Sequence, residues 1–156
     1  MKQLGLWILA ILMLASCQET PKGFVINGVA TDMPDGPIYL KIFRNKMFFD
    51  KDTAEIKDGK FTFTGVVDQP LLFGLATDDM NSPAQLFIEN TTMQVELLNG
   101  GEEVNVQGSA VDQLFRENMS KVFEEGFDID SLVTHNPESP AAAFYLYRFF
   151  TYQLTL

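Results

Sequence analysis

The sequence predicts a mainly β fold: an antiparallel β-sandwich of about eight short strands, followed by a C-terminal helical segment of two helices. Three observations carry that expectation. Apolar and polar residues alternate from Phe24 to Gly108, the period-2 pattern of half-buried strands. Turn signals such as Asp35-Gly36, Asp58-Gly59 and Gly100-Gly101 punctuate the stretch, spacing the strands about 10 residues apart. After Gly108-Ser109 the apolar spacing becomes helical.

Phe24 to Ala30 gives the first strand. Pro34-Asp35-Gly36-Pro37 follows as a turn, where proline presets φ and glycine accepts positive φ. Ile38 to Phe43 then alternates, with Ile38, Leu40 and Ile42 on one face. Phe48 and Phe49 open a third segment. Thr53 to Lys57 and Lys60 to Thr64 flank Asp58-Gly59, the pair favoured in two-residue hairpin turns. Leu71 to Ala76 is the next strand, and Thr77 to Pro83 a loop. Ala84 to Glu89 and Met93 to Leu98 flank Asn90-Thr91-Thr92 as a second expected hairpin. Gly100-Gly101 turns the chain into Glu103 to Gln107.

Ser109 can cap a helix, with Asp112 three residues on. Val111, Leu114, Phe115, Met119, Val122 and Phe123 keep helical spacing through Glu125, and Gly126 stops the run. Phe127 to Asn136 is expected to be a polar connection. Ser139-Pro140 opens the second helix, since Pro suits the first helical position.

Composition narrows the function. The chain has 21 acidic and 11 basic side chains and a formal net charge of -10, against the basic face that nucleic acid requires. One cysteine and one histidine leave no Cys-x-x-Cys centre, disulfide framework or multi-ligand zinc site. No cofactor or metal is expected, and no catalytic residue is assigned. His135 lies in the polar connection without a nucleophile or co-ligand and is expected to be a surface or helix-capping residue. The acidic pairs Asp78-Asp79, Glu102-Glu103 and Glu124-Glu125 lack EF-hand spacing and are expected to be solvated. No Gly-x-Ser-x-Gly elbow surrounds any serine, so a hydrolase is not expected. Most of the fourteen phenylalanines are expected in the core. Phe43, Phe48 and Phe49 break the alternation, and core packing is weighed there against an exposed apolar lip.

The N-terminus carries a location signal. Residues 1–16 read as a signal peptide, with Lys2 as its positive end and Leu4 to Leu14 as its apolar region. That run is shorter than the roughly 20 residues of a bilayer span. Leu14-Ala15-Ser16-Cys17 matches the lipobox of bacterial lipoproteins, so Cys17 is the expected lipid-attachment residue. Residues 17–23 form a polar lipidated tether, 24–108 the sandwich domain, and 109–156 the helical segment. Gln18 stands where the inner-membrane retention signal has aspartate. The expected location is the outer membrane of a Gram-negative bacterium, lipid-anchored and periplasm-facing.

Phe24 to Tyr147 resembles a known arrangement. Its pieces are Phe24-x-Ile26-x-Gly28, Pro34-Asp35-Gly36-x-x-Tyr39-Leu40, Asp58-Gly59-Lys60-Phe61-x-Phe63-x-Gly65, Phe87-Ile88-Glu89-Asn90, Val106-x-Gly108-Ser109 and Asn136-Pro137-x-Ser139-Pro140-Ala141-Ala142. In this order they resemble the N-terminal domain of unknown function, a β-sandwich plus helices, of TlpA-like thiol:disulfide interchange lipoproteins. In such proteins a thioredoxin-like domain with a Cys-x-x-Cys site follows. None of the matched positions is a redox residue, so no catalytic role carries over.

Phe144 to Leu156 carries nine large apolar or aromatic residues, and Arg148 is its only charge, the mark of a helix that is apolar all round. The helical segment is therefore expected to be incomplete by itself, with Phe149, Phe150 and Tyr152 as partner-binding residues. The expected partner is a thioredoxin-like domain or a second copy in a homodimer. The functional expectation is a non-enzymatic, lipid-anchored accessory, docking or dimerisation module. The alternative is a free-standing lipoprotein that binds glycan or peptide.

Overall fold

A computed structural model describes residues 22–150. Eight strands form two four-stranded sheets. They are β1 (Phe24–Val29), β2 (Gly36–Arg44), β3 (Met47–Ile56), β4 (Lys60–Gly65), β5 (Leu71–Ala76), β6 (Ala84–Ile88), β7 (Thr92–Leu98) and β8 (Glu103–Gln107). One sheet has the order β4-β1-β7-β8 and the other β3-β2-β5-β6. The Phe48 segment and Thr53 to Lys57 are one long strand, β3, carrying a bulge opposite Leu40/Lys41.

Two features of the sandwich depart from expectation. β1 and β7 are parallel, with Val25 opposite Thr92 and Val29 opposite Glu96. The chain leaves β6, crosses to the other sheet, and enters beside β1 in the same direction. Asp58-Gly59 does make the expected tight turn, with φ of 51° and 69° and a Lys57–Lys60 bridge. Its arms then part, because β3 pairs with β2 and β4 pairs with β1. The same holds across Asn90-Thr91, since β6 pairs with β5 and β7 with β1 and β8. Both are corners between sheets. The within-sheet hairpins are β2–β3, around Asn45-Lys46, β5–β6, across the 77–83 loop, and β7–β8, around a 3₁₀ turn at Asn99–Gly101.

The sandwich core is built from alternate residues of both sheets. Ile26, Phe63, Met93 and Leu97 of one meet Ile38, Leu40, Leu75 and Leu86 of the other, all essentially buried. The second sheet is covered on its outer face as well. Leu72 and Phe87 point away from the sandwich into a second core with Phe115, Val122, Ala141 and Tyr145. This explains the unbroken apolar run Leu71-Leu72-Phe73-Gly74-Leu75-Ala76, since a strand covered on both faces has no polar side.

The covering layer contains three helices where two are expected. α1 spans Ala110–Met119, and the Ser109 hydroxyl accepts from the Asp112 N–H at 3.0 Å. It ends before the expected Glu125 and gives way to a 3₁₀ turn at Lys121–Phe123. The expected polar connection contains α2 (Ile129–His135), started by Asp128, whose carboxylate accepts from the Ser131 N–H at 2.8 Å. Its apolar residues, Ile129, Leu132 and Val133, are too few to show a long periodicity, yet Ile129 and Leu132 pack against the second core. α3 (Pro140–Tyr145) begins after Ser139 as expected and continues into a π-helical turn at Leu146–Phe150.

Strand directions give the sandwich two distinct ends. At one lie the start of β1, the Asn45-Lys46 turn, the 66–70 connection and the 89–91 corner. At the other lie the 30–35 loop, the Asp58-Gly59 corner, the 77–83 loop and the Asn99–Gly101 turn.

Candidate functional site

The main buried polar site joins the helical layer to the sandwich. Asp112 on α1 is fully buried. Its carboxylate accepts from the Phe87 N–H of β6 at 2.8 Å and from the Arg116 Nε at 2.6 Å. Arg116 donates onward to the Gln85 carbonyl of β6 at 2.9 Å and the Val104 carbonyl of β8 at 3.0 Å. β6 and β8 are the outermost strands of their sheets on this side. One i,i+4 ion pair thus satisfies open backbone groups of both edges and seals that side against further strand pairing. Burial pushes the Asp112 carboxyl up, opposed by Arg116 and the Phe87 N–H. The neighbouring Glu89 accepts from the Ser109 hydroxyl at 2.7 Å and the Val111 N–H at 3.3 Å. The sequence shows Asp112 only as a weak capping residue. The i,i+4 spacing to Arg116 is the one available signal, and it is ordinarily a surface pairing.

An aromatic cluster closes the layer. Phe115 stacks on Tyr145 at 5.7 Å and meets Phe87 edge-on at 5.2 Å. The Tyr145 hydroxyl donates to the Phe115 carbonyl, and burial pushes its pKa up. Of the expected partner-binding residues, Phe149 and Phe150 are half-buried. Phe149 packs on Phe123 at 5.3 Å and on Tyr145 at 6.1 Å, and Phe150 stacks on Phe127 at 5.9 Å. Phe123 itself is 71% exposed and Tyr147 58%. Tyr152 lies outside the described residues, as does Cys17.

Phe43 and Phe48 form no lip. Their ring centroids lie 5.0 Å apart, and Phe43 joins the second core, meeting Phe144 at 6.3 Å. Phe49, on the opposite face of β3, is exposed. His135 ends α2, exposed, with Nδ1 donating to the Ser131 carbonyl at 2.8 Å. The expected acidic pairs are exposed. No group of three His, Cys, Asp or Glu side chains among the described residues is placed to hold a metal ion. The clefts are open and shallow. One of about 310 Å³ lies along α1 between Ala110 and Glu117 and reaches Asn136 and Ser139. Another, of about 430 Å³, lies between the 79–82 loop and the Asn99–Glu102 turn, without paired acid and base.

No curated protein matches the chain. Residues 24–115, from the start of β1 to Phe115 of α1, match the family described as "Domain of unknown function (DUF4369)". The matched segment therefore takes in every strand and the Asp112 contact that fastens the first helix to them. Since it spans well over half the sequence, the chain belongs to the DUF4369 family.

Proposed function

We propose that the protein is a non-catalytic, lipid-anchored module of the bacterial cell envelope, held by acylated Cys17 at the outer membrane and facing the periplasm. The observation that carries this reading is Leu14-Ala15-Ser16-Cys17, placed after an apolar leader and a few residues before the sandwich begins at Phe24. Several acyl chains on one residue give durable anchoring, at about 0.8 kcal/mol per buried methylene. The outer helical face, with Phe123, Phe149 and Phe150, is the docking surface for a second folded unit. A thioredoxin-like domain of a thiol:disulfide interchange system is the partner, as the TlpA-like order of sequence pieces suggests.

Labelling the full chain in cells with a fatty-acid analogue tests the anchor. Acylation of wild type, with loss of label and release from membranes in Cys17→Ser, is the expected result. An unlabelled wild-type chain overturns it. Docking is tested by a photo-crosslinking amino acid in place of Phe123. A crosslink to a protein carrying Cys-x-x-Cys supports the reading, and a crosslink only to a second copy replaces it with dimerisation.

A further inference from the structure

The two ends of the sandwich differ in charge and in exposed apolar surface. The far end carries Asp32, Asp35, Asp58, Asp78, Asp79, Glu102 and Glu103 in its loops and strand ends, with Lys57 and Lys60 as its cations. The near end, where β1 starts, carries Lys22, Arg44 and Lys46. Its acidic residues are Asp68 and Glu89, and Glu89 is already engaged by Ser109 and Val111. Exposed large apolar residues also gather at the near end: Met47 at 57% and Val66 at 69%. Lys46 lies 5.8 Å above the ring of Tyr147, which extends this surface onto the helical layer. Lys46 has a φ of 62°, in a turn position that glycine fills at least cost.

We propose that this near end rests on an anionic lipid headgroup surface. The inference rests on the reading of Cys17 as the anchor. Cys17 lies five residues before Lys22, so the tether spans at most about 18 Å. The tether enters the sandwich at this end, which therefore stays within reach of the bilayer. In a chain of net charge -10, a cationic end with apolar side chains at its tip turns the acidic loops away from anionic lipid. Met47 and Val66 enter the headgroup boundary, and Arg44 and Lys46 meet the phosphates. Two copies meeting through this end would set like charges together.

The test uses the chain from Cys17 onward, which keeps every residue named above in the two cores. Its only thiol couples it to a maleimide lipid in vesicles, whatever happens in the cell. Trp7 is the only tryptophan of the full sequence, so Met47→Trp and Val66→Trp are single probes of the near end and Val29→Trp of the far end. In phosphatidylglycerol-containing vesicles, brominated acyl chains should quench both near-end probes and spare the far one. Arg44→Gln with Lys46→Gln should lower the surface-held fraction about 5-fold per charge removed, and high salt should do the same. Equal quenching at both ends, or unchanged quenching on pure phosphatidylcholine, overturns the proposal. Because coupling is chemical, this result is independent of cellular acylation at Cys17, and the two failures are distinguishable.

Discussion

Replacing Asp112 by alanine should remove the polar fastening between the helical layer and the sandwich. The substitution leaves the Phe87 N–H without its 2.8 Å acceptor on the edge of β6. It also leaves the Arg116 guanidinium without its carboxylate, holding only the Gln85 and Val104 carbonyls. An unsatisfied buried N–H costs about 1–3 kcal/mol. Removing one partner of a buried ion pair costs about 3–5 kcal/mol in all, and Arg116, partly open to solvent, places this site at the lower figure. The expected loss is about 3 kcal/mol, a large share of the roughly 5–15 kcal/mol that stabilises a domain of this kind. Urea unfolding with linear extrapolation measures it. A double-mutant cycle with Arg116→Ala should return a coupling above about 1 kcal/mol. A loss under about 1 kcal/mol with no coupling would refute the argument that this pair seals the two edges.

Burial holds the Asp112 carboxyl above its ordinary value, so the folded chain binds a proton at a pH where the unfolded chain has released it. The stability contributed by this group is therefore largest in acid and declines as pH rises through the folded value. Asp112→Asn should remove that part of the slope in denaturation series that start in acid and rise through the folded value. Gly28→Ala should destabilise by about 1–3 kcal/mol in thermal melts, because the added methyl would lie 2.1 Å from the Phe61 ring carbon on the paired strand. Lys46→Gly should raise stability in solution by up to about 1 kcal/mol by relieving the positive φ, while weakening attachment to anionic vesicles.

Much of this architecture was legible along the chain. Asp58-Gly59 announced its turn because both positions need positive φ, and Ser139-Pro140 announced a helix start because Pro is preset for it. The partners of β3 and β4 were not legible. Turn chemistry acts over two residues, whereas pairing depends on which strand lies alongside, and Asp58-Gly59 serves a hairpin and a corner equally well. Asn45-Lys46 carries no hairpin signal in the sequence because it lacks the glycine that usually marks such a turn. α2 is not legible in the sequence because a seven-residue helix gives no sustained period. The Asp112 site was hidden for a related reason: the backbone groups it satisfies have no side-chain identity, so no residue pattern encodes them.

The sequence by itself determined the alternation that builds a sandwich, the switch to helices after Gly108, and the placing of a lone cysteine, Cys17, after an apolar run. These are local properties, set by periodicity, turn preference and composition. Only the tertiary structure decided that β1 and β7 run parallel, that the second sheet is buried on both faces, and that Asp112 fastens one helix to two sheet edges. It alone sorted the charges as well. Lysines and aspartates scattered along the chain fall into a basic and an acidic end because antiparallel strands bring alternate turns together in space.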